Sequence, residues 1–346
     1  MRILVTGHKG YIGSALVPPL LAKGYEVVGL DTDFYVSAAV GDLPKVPEIR
    51  KDIRDLNKDD LNGIDAIMHL AALSNDPIGN LNADLTSEIN YTASVRLASL
   101  GKRVGVQRFI FSSSCSNYGA AGGNIMTEES PLNPVTAYGR SKVMTEDAVR
   151  KLATDAFSPV FLRNATAYGV SPRFRCDLVV NNMVAWAFTT GCIRILSDGT
   201  PWRPLVHVND IANAFVAALE APKDVVHNET FNIGRTEENY QVRQVADIIA
   251  EAMPAVSIEY AGQGGPDKRD YRVSFKKAES RLSGFVPRWT VQRAIEELVD
   301  FCGRAKITVG DIDGTRFARI ARIKHLLTTG AIDSQLRWTP LAVERS

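Results

Sequence analysis

The chain has 346 residues, 45% hydrophobic and 23% charged, and its 40 Lys+Arg against 39 Asp+Glu leave a formal charge of +1. This is ordinary soluble composition, long enough for one large domain or for a nucleotide domain with a smaller partner. So even a charge balance excludes a global field that would recruit nucleic acid or a membrane surface, and no apolar run reaches the length of a membrane span. Met1 leads directly into an apolar stretch, so no signal peptide is expected. The four cysteines (Cys115, Cys176, Cys192, Cys302) have neither disulfide-framework nor zinc-ligand spacing, which predicts reduced thiols and a cytoplasmic location. The five histidines form no HExxH-type pair, so no metal site is expected.

Ile3, Leu4 and Val5 form a short apolar run suited to a buried parallel strand. Gly7, Gly10 and Gly13 follow, then Ala15, Leu16, Leu20 and Leu21 at helical spacing, with Gly24 as the stop signal. Val27, Val28 and Leu30 make a second strand that closes on Asp31. Strand, glycine turn, helix, strand and acid form the plan of a dinucleotide-binding βαβ unit. The glycines let backbone approach a pyrophosphate, and the free N–H groups of the helix start, at Tyr11 and Ile12, face that anion. A carboxylate at Asp31 accepts both ribose hydroxyls of NAD and repels the extra phosphate of NADP. No arginine stands in the next few residues; Lys9 is the one basic residue able to reverse that preference, so NAD is favoured over NADP.

The glycine spacing is GxxGxxG rather than GxGxxG. TGHKGYIG resembles the glycine turn of the short-chain dehydrogenase/reductase superfamily, in particular its extended branch. Glu48–Asp52 reads as a third strand and Ala66–Leu70 as a fourth. The resemblance places Asp52 and Ile53 against adenine, and Leu70, Ala71 and Ala72, from an HLAA segment, under the pyrophosphate and nicotinamide ribose. His69 is read as a packed strand residue. Leu85 to Val104 has one long helical pattern; the resemblance implies that Asn90 on it braces the strand carrying the catalytic residues, with a plain surface asparagine as the alternative.

Arg108–Ser114 is a fifth strand ending in consecutive serines, at the C-terminal end of a buried strand, where open α/β proteins bind ligands. Tyr138 and Lys142, four apart, share one face of a helix. Serine, YxxxK, glycine turn and acid in this order resemble the Ser/Tyr/Lys constellation of short-chain dehydrogenases. A phenol titrates near 10 when unperturbed, so a neighbouring ammonium is needed to make Tyr138 a base at neutral pH. Lys142 also holds the nicotinamide ribose in this reading, and Ser114 hydrogen-bonds the sugar oxygen.

Beyond a sixth strand in Phe157–Gly169, the segments resemble nucleotide-sugar enzymes of the extended branch. The family's phosphate-touching asparagine has no clear counterpart where Thr166 and Ala167 stand, and Asn164 lies two residues early. LVVNNMVAWA implies a diphosphate contact at Asn182, or else a helix N-cap region. SDGTPWRPLVHVNDIANAFVAALE implies a diphosphate contact at Arg203; Asp210 is read as an N-cap and His207 as packed. Thr230–Gly234 is a further strand and Val242–Met253 an amphipathic helix. Asp267 and Arg269 are candidates for ribose and phosphate contacts, or else belong to a solvated charged loop. Residues 303–346 run past the resemblance; the basic amphipathic stretch within them is expected to pack on its own domain or a subunit partner.

The implied fold is α/β: a doubly wound parallel Rossmann sheet over residues 1–168, with returning segments near 203–235, and a smaller, discontinuous substrate domain from 169–202 and 236–346. The implied activity is NAD-dependent epimerisation of a nucleoside-diphosphate sugar at C-4 through a 4-keto intermediate, by a homodimer joined through a four-helix contact. A reductase of a 4-keto-6-deoxy nucleotide sugar is the nearest alternative. A 4,6-dehydratase is disfavoured because Cys115 and Ser116 occupy the positions where that type carries Asp-Glu. A non-catalytic dinucleotide sensor commonly lacks the tyrosine or lysine present here.

Overall fold

β1 (Arg2–Thr6) is buried from Ile3 to Thr6, and its neighbours on both sides run parallel to it. The computed structural model describes residues 1–74, 82–260 and 269–340. β2 (Glu26–Asp31), β3 (Glu48–Arg50), β4 (Ala66–His69), β5 (Arg108–Ser114), β7 (Ser158–Asn164) and β11 (Glu229–Ile233) complete a seven-stranded sheet with order β11-β7-β5-β4-β1-β2-β3. Every pairing in it is parallel. The chain winds outward from β1 through β2 to β3, then returns to β4 and winds the other way. The carboxyl ends of β1 and β4 therefore flank the crevice in which a doubly wound sheet binds its ligand.

Two apolar clusters, one on each face, sandwich this sheet, as buried parallel strands require. One includes Val5, Leu16, Leu162 and Phe215; the other includes Leu4, Val28, Ile67 and Phe109. A third, with Phe174, Val184, Ile295 and Phe301, forms the core of the smaller lobe. Three small sheets accompany that lobe. β8 (Thr166–Tyr168), β10 (Trp202–His207) and β12 (Asn239–Gln241) form one; β9 (Cys192–Ile195) pairs with β13 (Ser257–Tyr260), and β6 (Ala120–Met126) with β14 (Asp270–Val273).

Several sequence expectations change here. β6 lies between Ser114 and Tyr138, where no strand is expected; its AAGGNIM sequence has almost no alternation of the kind that marks a strand. The third strand stops at Arg50, because Asp52 turns the chain by accepting the Arg54 N–H at 2.8 Å. The expected helix from Leu85 is broken into Ala83–Ser87, a π turn at Glu88–Thr92 and the Ala93–Arg103 helix. Asn90 sits in the π turn, a distortion that often redirects a side chain. Its amide bonds both backbone groups of Leu73, at 2.8 and 3.1 Å, and reaches Ser141 Oγ at 3.3 Å. Asn90 thus braces the loop after β4 and the YxxxK helix, not the serine strand itself.

The C-terminal segment differs most. The Arg319–Thr328 helix and the turn after it bring Ile323, Leu326, Ile332 and Leu336 into the cluster of Leu4 and Val28. Trp338 Nε1 donates to Thr32 O at 2.6 Å, and Arg322 Nε to Phe34 O at 3.0 Å. This part of 236–346 lies on the nucleotide side of the molecule, not in the substrate lobe. Ile323→Ala, at a fully buried site, is expected to cost about 2–4 kcal/mol of unfolding free energy, read by urea denaturation. An unchanged midpoint would mean that the segment is only loosely applied.

Candidate active site

The glycine turn is built on backbone contacts that tolerate no side chain. Gly7 has φ +72°, donates to Leu30 O at 2.7 Å, and accepts from Gly10 N at 2.9 Å. A Cβ on Gly13 would lie 2.1 Å from Gly7 O, and one on Gly7 2.9 Å from Ala71 N. The Tyr11–Ala22 helix starts here with Gly10 as an N-cap that offers no side-chain acceptor. Its first-turn N–H groups at Tyr11, Ile12 and Gly13 are a ready anion site. A single cavity of about 640 Å³ opens beside Gly7, Gly10, Tyr11, Ile12 and Gly13 and extends to the smaller lobe.

Asp31, Asp52, Ile53, Leu70, Ala71 and Ala72 line the same cavity. Asp31 accepts from Lys9 N at 3.0 Å and Asp33 N at 2.8 Å, and burial pushes its carboxyl above the ordinary range. The Lys9 ammonium is taken up by Glu48 at 2.7 Å and Asp33 at 3.1 Å. Asp52 pairs with Arg54 at 2.8 Å.

Ser114, Tyr138 and Lys142 line the cavity farther along. Thr136 caps the Ala137–Arg150 helix by accepting Gly139 N at 3.1 Å, and this starts the helix in register to turn both side chains inward. Lys142 Nζ lies 5.6 Å from the Tyr138 ring centre and 4.6 Å from that of Phe111, and it donates to Ser112 O at 2.7 Å. Burial pushes the Lys142 pKa down to about 7, opposed by the charge of Glu146 one turn on. Glu146 is itself held by Arg163 at 2.7 Å, by Asn117 and by Ser113. Ser114 Oγ lies 3.0 Å from Ser116 Oγ and accepts the Ser116 N–H. Cys115 points away: its buried thiol donates to Arg163 O and titrates well above its normal range.

At the other end lie Asn164, Asn182, Arg203 and Arg269. Asn164 Nδ2 bonds Ser112 Oγ at 3.1 Å and so ties β7 to β5. Asn182 donates to Cys176 O at 2.9 Å from the first turns of the Val179–Thr190 helix. Arg203 donates to Arg269 O, and Arg269 reaches Ser116 Oγ at 3.3 Å. Thr166 and Ala167 are also on the wall. Asp267 lies outside the described residues. Asp210 is not an N-cap: His207 caps that helix, and Asp210 accepts the N–H groups of Arg288 and Trp289 at 3.0–3.1 Å. His207 is packed as expected, stacked on Trp289 at 3.9 Å.

Sequence reasoning missed Asn181, whose side chain accepts Gly169 N at 2.9 Å and donates to Arg175 O at 2.9 Å. Beside it the Tyr11 hydroxyl donates to Gly169 O at 2.6 Å and locks the glycine helix to the smaller lobe. It also missed Arg175, Asp177 and Arg319, all on the cavity wall. The alternating Arg173, Arg175 and Asp177 offered a local signal; Arg319, just over three hundred residues from the glycine turn, offered none.

The family model for the NAD dependent epimerase/dehydratase family matches residues 3–234. The chain belongs to that family. A UDP-glucose 4-epimerase of Bacillus subtilis is 30% identical over 329 residues, covering 86% of this chain and 94% of the relative. Among solved structures, MoeE5 in complex with UDP-glucuronic acid and NAD matches with TM-score 0.77 and 29% identity, over 88% of this chain and all of that one. The UDP-glucose 4-epimerase of Thermotoga maritima, with UDP-glucose, gives TM-score 0.78 and 26% identity over 89% of this chain and all of that one. In this epimerase/dehydratase chain the cavity occupies the crevice of the doubly wound sheet.

His69 stands behind that crevice, hydrogen-bonded to Thr6 Oγ1 and Ser94 Oγ, both at 2.7 Å. Burial first, and the charge of Lys142 second, push its pKa down to about 3. Between pH 6.5 and about 3 the unfolded chain binds a proton at this site that the native chain refuses. Native stability should therefore be lost as pH is lowered from 6.5 towards 3, by up to about 1.4 kcal/mol per pH unit from this group. Chemical denaturation of wild type and His69→Gln checks it; equal slopes in both would overturn the assignment.

Proposed function

We propose that this protein is an NAD-dependent epimerase of a nucleoside-diphosphate sugar, inverting C-4 through a transient 4-keto sugar. The observation that carries the reading is the single cavity shared by the Gly7–Gly13 turn with Asp31 and by Ser114, Tyr138 and Lys142. The residues fit a dinucleotide: an uncapped helix start for a diphosphate, a carboxylate at the end of β2 for a ribose, and small residues at Ala71 and Ala72 beneath. Lys9 is engaged by Glu48 and Asp33, so it is not free to offset the repulsion between Asp31 and a ribose phosphate, which favours NAD over NADP.

Bound there, the dinucleotide supplies the hydride acceptor and donor. Tyr138 takes the hydroxyl proton at C-4, its phenolate favoured by the Lys142 ammonium, and gives it back at the end. Ser114 donates to the sugar oxygen as charge develops on it. Lys142 also holds the ribose next to the reacting carbon. Asn164, Asn182, Arg203 and Arg269 hold the nucleotide-sugar, the arginines by forked hydrogen bonds to its phosphates. The keto sugar turns over within the cavity and presents its other face.

The fold alone does not distinguish epimerase from dehydratase, since a dTDP-glucose 4,6-dehydratase matches with TM-score 0.75. Position 115 does: its thiol is buried against β7 and cannot move protons at C-5 or C-6. A reductase must exchange its cofactor at each turnover, whereas the Tyr11–Gly169 and Trp338–Thr32 contacts tie separate segments together beside the nucleotide end, which favours a cofactor that stays bound. The reading extends to a homodimer through the packed Ala93–Arg103 and Ala137–Arg150 helices and to a cytosolic location; no helix among the described residues is long and apolar enough to cross a membrane.

Purified protein incubated with a panel of UDP- and dTDP-sugars and no added cofactor is expected to yield the C-4 epimer. Conversion that occurs only with NADH or NADPH added would refute the epimerase. Tyr138→Phe should lower kcat by about 10²–10⁴-fold and Ser114→Ala by about 10²–10³-fold, with the variants still binding UDP. Full turnover by Tyr138→Phe would end the proposed proton transfer.

A further inference from the structure

We propose that Arg319, carried by the C-terminal segment, supplies a second anion site beside Arg175 on the nucleotide side of the cavity, and that it binds the diphosphate of the dinucleotide together with the glycine turn. This rests on the dinucleotide-dependent reading above. Arg319 is 3% exposed and lines the cavity with Tyr35, Ser74 and Arg175. Its guanidinium stacks over the Tyr35 ring at 4.1 Å, and Nη2 donates to Arg173 O at 3.1 Å.

The neighbouring arginines are neutralised. Arg173 pairs with Asp33 at 2.8 Å and Arg175 with Asp177 at 2.7 Å. Asp177 meets Arg319 only at the backbone N–H, at 3.4 Å. Among the described residues no carboxylate lies within ion-pair distance of the Arg319 guanidinium. A buried, unpaired cation is costly, and burial together with Arg175 pushes its pKa down to about 10. An anion entering the cavity would offset that cost.

Position identifies the anion. Arg175 Nη1 lies 3.5 Å from Ser74 Oγ, at the end of the segment whose Ala71 packs against Gly7. Tyr35 follows Asp31 on the ribose side. The substrate end has its own cations, Arg203 and Arg269, joined by a hydrogen bond beside Ser116. The cavity thus has one arginine group for each of two diphosphates. Arg319 lies beyond residues 3–234 matched by the family model and is carried by the C-terminal segment.

The test titrates cofactor-stripped wild-type protein and Arg319→Met with NAD, NADP, ADP and adenosine by calorimetry, and measures NAD carried through purification. NAD and ADP should bind Arg319→Met about 10- to 100-fold more weakly, adenosine equally, with no fall in the ligand-free melting temperature. Arg319→Gln gives the same test if the methionine variant does not accumulate. Equal NAD affinity in variant and wild type, or an equal loss for adenosine, would overturn the proposal while leaving the epimerase reading intact. NADP binding wild type more tightly than NAD would also overturn it, by assigning the cation to a ribose phosphate. A wild type that binds no dinucleotide would remove both readings.

Discussion

The chemistry proposed for this cavity depends on one buried ammonium staying charged. Lys142 is 3% exposed, and desolvation is the larger force on it: its pKa falls from an ordinary 10.5 to about 7. Three things resist. Ser112 O accepts its proton at 2.7 Å, the Phe111 face lies 4.6 Å away, and Glu146 stands one helical turn on. The charged and neutral forms are therefore nearly balanced at neutral pH, so the charge on Lys142 responds to whatever anion arrives beside it. A phenolate on Tyr138 is such an anion, and the two groups stabilise each other's charged forms.

That balance explains why so many polar groups are buried behind the helix. Glu146 supports Lys142 only while it remains a carboxylate in a site 2% exposed. Arg163 is forked onto both its oxygens, and Asn117 and Ser113 also donate to it. Arg163 comes from β7 and Ser113 from β5, which pair with Ser113 opposite Arg163 and Ser114 opposite Asn164. Sheet register thus sets the electrostatics of the helix above it. A one-residue slip would turn Arg163 to the other face and leave Glu146 unpaired.

The parts legible in the sequence are those specified by local pattern. The glycine turn, Asp31, the serine strand and YxxxK each sit in a short stretch whose geometry is dictated by its own residues, and all reach one cavity. What escaped was set by distant contacts. Asn90 owes its partner to a π turn that no periodicity marks. Asp210 looks like a helix cap but is pulled toward the backbone at Arg288 and Trp289. β6 has glycines where a strand should alternate and exists because β14 pairs with it. Arg319 was the least legible: a basic amphipathic helix reads the same whether its charged edge meets solvent or a buried cavity.

The C-terminal segment also bears on why such an enzyme would keep its cofactor. Hydride that leaves C-4 and returns to C-4 leaves the dinucleotide unchanged, so release between turnovers serves nothing, and release within one would strand the keto sugar. Tight retention requires that the nucleotide end stay shut while the sugar end opens. The contacts follow that division. Tyr11 to Gly169, Arg322 to Phe34 and Trp338 to Thr32 bind separate chain segments together around the Asp31 end of the cavity, and Ile323 and Leu326 anchor the C-terminal segment in the sheet's own core. The substrate side rests on small sheets of two or three strands, which can shift at lower cost than a strap anchored in the main core. Opening for sugar exchange is then expected at the small-sheet end, with the nucleotide end held by the tail.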